Sequence, residues 1–416
     1  MKTIKILSFL AAVITISAFA DTVTSVSASQ QWPWNGKVDI KYTLNSEAAN
    51  PSFNVRFYWK TGEGSDNSIP NSKISGDGAC TEVTGAGQKL AIWDASDDLE
   101  ETKVNDLQIG VDATDISASV AAQKYAKIDL TTYEVTFHSS IDVSQSACKT
   151  SEMWFRRVAP GTFIMGSSPN EPRRYASETE HAVTITKPYW IGVFELTKAQ
   201  YERIANNDDT ATSAFPQTIC YDALRGTDKG AGWPTIKTFD GSSFLGVLKT
   251  KVDEGNMDSM DEFKIDLPTE AQWEMACRDK GDGTYLGSSV WNDGSANLNS
   301  GYSRDANLDN LAWCCGNAVH EVGLKTPNAI GLYDMHGNVQ ERCLDWWTND
   351  LTGYNLDPVG PTSEEATGSF TGYRVSKGGA RSQSFTYYFR IAFRNNPGKP
   401  DSATTDVDGC RLVLVR

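Results

Sequence analysis

The chain carries eight cysteines and four histidines, the side chains with the most distinctive chemistry to offer. A cysteine can be a nucleophile, a soft-metal ligand or half of a disulfide, and a histidine can be a base or a ligand. In an exported chain the first reading of Cys80, Cys148, Cys220, Cys277, Cys314, Cys315, Cys343 and Cys410 is disulfides. Cys80 and Cys148 would pair within a first domain, while the other six leave their connectivity open. The vicinal Cys314-Cys315 cannot bridge to each other without strain. His138, His181, His320 and His336 are spread along the chain, and His138 has no obvious ligand partner nearby. No Gly-x-Ser-x-Gly nucleophile elbow and no phosphate-cradling glycine loop occurs. The aromatic run Phe385, Tyr387, Tyr388, Phe389 and Phe393 either lines a groove for a peptide or sugar or packs as core.

The bulk properties narrow the setting. Lys2 and Lys5, the apolar Ile6–Ile16 and the small-x-small Ala18-Phe19-Ala20 read as a signal peptide cleaved after Ala20. That apolar run is too short for the about 20 residues of a spanning helix, and no later run approaches it. The expected product is secreted or periplasmic, with no membrane span. The formal charge is −15, and removing Lys2 and Lys5 leaves the rest more acidic still. Such a balance argues against nucleic acid as a partner and permits cations.

The chain is too long for one ordinary domain. After the signal peptide (1–20), residues 21–150 show short β-type runs between polar turns. Val23–Val26, Lys37–Leu44, Phe53–Trp59, Lys89–Trp93, Leu107–Val111 and Ala126–Phe137 are candidate strands, several alternating in period two. This pattern predicts an all-β, immunoglobulin-like sandwich acting as spacer or binding module. Residues 151–416 read as a loop-rich α+β domain. Thr197-Lys198-Ala199-Gln200 and Thr269-Glu270-Ala271-Gln272 are capping boxes, which predict helices over Ala199–Ala205 and Ala271–Arg278.

One segment stands above the rest: Pro327-Asn328-Ala329-Ile330-Gly331-Leu332-Tyr333-Asp334-Met335-His336-Gly337-Asn338-Val339-Gln340-Glu341. It resembles the core signature of the formylglycine-generating enzyme, or sulfatase-modifying factor, family. Further landmarks of that family stand in order: Gly161–Ser167, Glu180–Ile185, Phe194–Tyr201, Leu267–Glu274, Lys377–Ala380 and Gly409–Arg411. The resemblance implies a C-type-lectin-like α+β domain with little regular secondary structure. The chain departs from the family pattern at Gln340 and Arg342, where tryptophans are usual, and at Lys377, Asp266 and Cys410.

The resemblance also implies a ligand set. Asp334 and Glu341 would give carboxylate oxygens to a structural calcium ion, and Gly337 and Val339 backbone carbonyls. Such a mixture suits calcium, which takes about 6–8 oxygens. A second set would be Asn297, Leu298, Asp309 and Leu311. The family's oxidases bind Cu(I) through two cysteines after the Gly-Gly pair, and here those positions hold Gln383 and Tyr388. Neither side chain can replace a thiolate, so copper is not expected. A three-histidine iron site, as in related sulfur oxidases, is not expected either. Gln383, Tyr388 and Arg390 become candidates for a binding groove instead. The expected function is a calcium-stabilised protein that binds a peptide, protein or glycan. The alternative is a formylglycine-generating oxidase acting on a sulfatase cysteine, or a divergent periplasmic oxidase.

Overall fold

The computed structural model describes residues 22–31, 35–61, 64–99, 107–171, 173–226, 240–257, 262–281, 286, 306–314, 316, 318–361, 372–395 and 407–416. The signal-peptide residues, Cys315, Asn297 and Leu298 lie outside them. No helix among the described residues is long and apolar enough to cross a membrane. The chain divides into two compact units, Met1–Val120 and Ala121–Arg416.

The first unit is built almost wholly of strands. β1 (Val23–Gln30), β2 (Lys37–Leu44), β3 (Ser52–Thr61), β4 (Asn67–Ile69), β5 (Ile74–Gly76), β6 (Glu82–Thr84), β7 (Gly87–Asp94) and β8 (Leu107–Asp115) form two antiparallel sheets. One has the order β1-β2-β7-β5; in the other β3 pairs with β4, β6 and β8. Alternation decides which side chains meet. In β2, Val38, Ile40, Tyr42 and Leu44 are buried in turn, and they share one core with Phe53, Val55 and Phe57 of β3. The three short strands β4 to β6 carry too few apolar residues to show in the sequence. After β8 a short helix, α1 (Ser117–Ala122), closes the unit.

The run Ala126–Phe137, expected in the first domain, forms a hairpin in the second. β9 (Tyr125–Asp129) pairs with β10 (Val135–His138) and with β11 (Glu152–Val158), so the first unit ends near residue 120 rather than 150. The helical turn α2 (Ala147–Thr150) precedes β11. β12 (Gly161–Met165) and β13 (His181–Ile185) form a separate hairpin. β14 (Tyr189–Gly192) then joins the main sheet, followed by α3 (Lys198–Ala205), α4 (Tyr221–Arg225), α5 (Phe244–Gly255), β15 (Lys264–Asp266), α6 (Glu270–Arg278) and α7 (Ala306–Leu311). The short strands β16 (Ala312–Trp313) and β17 (His336–Gly337) pair in parallel. β18 (Gln340–Trp346) lies between β19 (Arg374–Lys377) and β20 (Asp408–Gly409), and β21 (Val413–Val415) ends the fold.

The main sheet runs β10-β9-β11-β14-β21-β15 and is buried on both faces. Phe155, Trp190 and Leu414 point to one core, which α5 covers with Phe244, Leu245, Leu248 and Val252. Val158, Tyr189, Ile191, Val413 and Val415 point to the other, which α6 covers with Ala271, Trp273, Met275 and Ala276. Successive side chains of a strand face opposite ways, so a strand with both faces buried reads as the unbroken apolar run Leu412–Val415. Both expected helices form behind their capping boxes. Thr197 accepts from the Gln200 amide at 3.2 Å and Thr269 from the Gln272 amide at 3.1 Å, and each glutamine side chain accepts from its threonine's own amide. α5 went unforeseen, although Ser243 caps it by accepting from the Gly246 amide and its buried positions follow helical spacing.

Candidate functional site

The signature segment folds into a tight loop because its residues meet unusual backbone demands. Asp334 and Asn338 sit at φ of 55° and 59°, which short hydrogen-bonding side chains tolerate better than most. Gly337 adopts φ 88°, and a Cβ there would meet the Trp313 carbonyl oxygen at 2.4 Å, so only glycine fits. The Asn338 side chain ties three segments together. It donates to Glu195 at 2.7 Å and to the His320 carbonyl at 3.1 Å, and accepts from the His320 amide at 3.1 Å.

This loop brings together three buried carboxylates. Glu341 lies in β18 and is gripped by Arg411, whose Nε and Nη2 each donate at 2.6 Å; the Trp273 indole adds a third bond at 2.7 Å. Asp334 accepts from the Gly323 amide at 2.6 Å through Oδ2, but its buried Oδ1 has no hydrogen-bond partner among the described residues. Glu195 accepts from Asn338 and, at 3.1 Å, from the Val339 amide. Burial pushes the Asp334 carboxyl up to about 6. Burial, and then the charges of Asp334 and Glu341, raise Glu195 well above the usual carboxylate range.

Against the calcium ligand set, the geometry divides. Asp334 offers an orphaned oxygen in a negative surrounding, as a cation would need. Glu341 does not, because Arg411 and Trp273 already take three of its roughly four lone-pair directions. Among the described residues, no three His, Cys, Asp or Glu side chains converge as a ready metal cage. The amides of Gly337 and Val339 are anchored to the Gly378 carbonyl and to Glu195. Of the second set, Asp309 and Leu311 lie on α7, and the Asp309 carbonyl accepts from Lys325. Glu195 was missed from the sequence, since nothing local marks it as facing a loop more than a hundred residues away.

The three groove candidates are held differently. Gln383 is half-buried and acts as a clamp: its Oε1 accepts from the Ala380 amide and its Nε2 donates to Asn395, both at 2.9 Å. Arg390 does not line a groove. It is wholly buried, donates to Glu178 at 2.6 and 2.7 Å and reaches Glu171 at 3.1 Å. A buried guanidinium stays charged, so its burial is tolerable only with such carboxylate partners. Tyr388 belongs to an aromatic platform. Its ring centroid is 4.5 Å from Tyr387, 5.1 Å from Phe393 and 6.1 Å from Phe385, and Tyr387 approaches Tyr175 at 6.4 Å. Tyr175 and Phe385 are 46% and 39% exposed, unusually high for rings of that size.

The disulfide expectation fails where it can be checked. Cys148, Cys220, Cys277, Cys343 and Cys410 are free thiols. Cys80 and Cys148 fall in different units, and the buried thiols sit in different cores, Cys410 in the one under α5 and Cys277 and Cys343 in the one under α6. Burial pushes Cys148 up to about 11 and Cys277 up to about 12, and raises Cys343 and Cys410 strongly. Thiols so held are neutral and poorly nucleophilic. Cys277 lies 3.9 Å from Nε2 of His336, whose Nδ1 donates to the Phe389 carbonyl and whose pKa burial lowers to about 4. His336 is therefore an uncharged packing group at neutral pH.

Comparison with known proteins identifies the class to which this loop and its strands belong. The family description "Sulfatase-modifying factor enzyme 1-like domain" matches residues 141–415. The chain belongs to the sulfatase-modifying factor, or formylglycine-generating enzyme, family. It is 25% identical over 281 residues to the formylglycine-generating enzyme of Mus musculus, covering 60% of this chain and 72% of that one. It is 32% identical over 155 residues to the enzyme of the same name from Thermomonospora curvata, covering 33% of this chain and 45% of the other. The chaperone protein LppX of Paenibacillus barcinonensis is 24% identical over 274 residues, 57% of this chain and 84% of that one. Among solved structures, PvdO from Pseudomonas aeruginosa aligns with TM-score 0.46 and 19% identity over 63% of this chain and 94% of that one.

Proposed function

We propose that the chain is an exported glycan-binding member of this family, stabilised by calcium, with the N-terminal strands forming an immunoglobulin-like spacer. The observation that carries the reading is the aromatic platform at Tyr388. Where an oxidase needs a Cu(I) thiolate, this chain presents Tyr387, Tyr388, Phe385 and Tyr175 side by side, two of them markedly exposed. Flat rings offer large contact area at small entropic cost, and tyrosine hydroxyls add hydrogen bonds at the edge, which suits the mixed faces of a sugar. The donor set argues against copper, because neither Gln383 nor Tyr388 carries a thiolate. Calcium would take Oδ1 of Asp334 together with backbone carbonyls of the same loop, easing the repulsion among Asp334, Glu195 and Glu341.

Binding to an array of oligosaccharides, followed by calorimetry on the hits, tests the reading. Tyr387→Ala and Phe385→Ala should each weaken binding at least tenfold while the protein stays folded, with losses of about 1–3 kcal/mol at the half-buried Tyr387 and less at the more exposed Phe385. Capture of peptides in place of glycans, or Cu(I)-dependent oxidation of a cysteine peptide, would overturn it. For the calcium component, a chelator should lower the melting temperature, and Asp334→Asn should remove that response. Melting unmoved by chelation would rule calcium out.

A further inference from the structure

The helix α6 and the signature loop bring two soft donors face to face, with Cys277 Sγ 3.9 Å from His336 Nε2. The imidazole is fixed from its other side, where Nδ1 donates to the Phe389 carbonyl at 2.8 Å. That bond sets the tautomer, so Nε2 carries the lone pair, and the thiol is its described partner. Metal-ligating histidines are oriented in the same way, their second nitrogen tied to a carboxylate or a backbone carbonyl. Burial keeps this ring uncharged at neutral pH, as a ligand must be.

Both residues line one cavity of about 140 Å³, with Leu311, Leu332, Met335 and Ile391 among its other walls. The exposed Lys280 and Thr326 line it too, so it reaches the surface. One water needs roughly 10–15 Å³ of such space, so a hydrated ion can enter and shed its shell there. The spacing then suits an ion held between the donors. Metal–imidazole and metal–thiolate bonds of about 2.0 and 2.3 Å span the 3.9 Å gap at an angle of roughly 130°, without widening it. Two donors at a wide angle satisfy a soft ion of low coordination number. Zinc completes four positions, and among the described residues no third His, Cys, Asp or Glu joins these two. Charge makes the same choice. A monovalent ion that replaces the thiol proton leaves the buried site neutral, whereas a divalent ion would add an uncompensated charge to a core.

We propose that Cys277 and His336 form a binding site for a soft monovalent metal ion. Binding is an exchange without redox. The S–H bond breaks, a sulfur–metal bond forms, the proton passes to solvent, and Nε2 gives its lone pair to the ion. The burial that holds the Cys277 thiol protonated penalises a bare thiolate, not a neutral thiolate–metal unit. The site shares no residue with the aromatic platform and does not depend on positions 383 and 388.

Nitrogen NMR of the histidine rings tests it, on the reduced full chain titrated with Ag(I) in chloride-free buffer. The Nε2 resonance of His336, assigned through its backbone, should shift and saturate by the point at which Ag(I) exceeds the eight cysteines. Zn(II) at the same concentration should leave it in place. In Cys277→Ala the shift should need at least a hundredfold more Ag(I). In Cys343→Ala, which removes a second thiol from the same core, it should be as in wild type. Circular dichroism checks that each variant is folded, and the wild-type titration decides by itself if one is not. An Nε2 resonance unmoved by Ag(I) in excess over all the cysteines, an equal shift with Zn(II), or an undiminished response in folded Cys277→Ala would overturn the proposal.

Discussion

Replacing Arg390 by methionine separates two roles that the residue could play. As a groove residue it would change ligand affinity and leave stability alone. As the structure has it, the change strands a buried carboxylate. Glu178 is 1% exposed, receives both Nη atoms of Arg390 at 2.6 and 2.7 Å, and would keep only the Ser167 hydroxyl at 2.7 Å. Removing one partner of a buried pair costs about 3–5 kcal/mol, because the other charge stays desolvated. With a urea slope of about 3 kcal/mol per molar, the transition of the second unit should fall by about 1–1.7 M. Tryptophan fluorescence across a urea series measures it. Glu178→Gln in the same background should recover part of the loss, since it removes the stranded charge; the double-mutant cycle then gives the coupling. A midpoint within about 0.2 M of wild type, below about 1 kcal/mol at that slope, would refute the burial argument. So would a double variant no more stable than Arg390→Met.

Other outcomes follow from the same reasoning. Burial, and then the negative charge of Glu270, push Asp345 up to about 7, although the Glu270 amide donates to it at 2.7 Å. Because the folded protein binds this proton more tightly than the unfolded chain, its contribution is complete below about pH 4 and lost as pH rises through about 7, at up to about 1.4 kcal/mol per pH unit. Asp345→Asn should flatten that slope in denaturation series between pH 4 and pH 8; an unchanged slope would count against it. Thr269→Ala should destabilise by about 1 kcal/mol in the same urea assay through loss of the α6 cap, with Thr269→Ser costing less. Mass-spectrometric thiol labelling should find Cys277, Cys343 and Cys410 unreactive in native protein and alkylated, without reductant, in guanidinium. Recovery of these cysteines as disulfides would contradict the structure.

Much of the architecture was legible because it is written locally. Both capping boxes form helices within a residue of the expected bounds, since a cap is satisfied by amides three positions away. The strand Lys37–Leu44 follows its alternation residue for residue. The signature loop and the absence of thiolates at 383 and 388 were likewise plain, because backbone freedom and donor type belong to the residues themselves. The hairpin at Tyr125–His138 was assigned to the wrong unit for the complementary reason: a strand's periodicity names its faces but not its neighbours.

By itself, then, the sequence determined the family, the helix starts and the alternating strands. Tertiary structure alone decided that Glu341 answers to Arg411, that Arg390 is a buried counter-ion for Glu178, and that Glu195 joins Asp334 beneath the signature loop. It also decided that the cysteines checked remain thiols, with Cys410 in one core and Cys277 and Cys343 in another. The physical reason is range. Asn338 and Glu195 are 143 residues apart and Arg390 and Glu178 are 212 apart. Propensity and periodicity act over a few residues, whereas a buried charge takes whichever partner the packed core delivers to it.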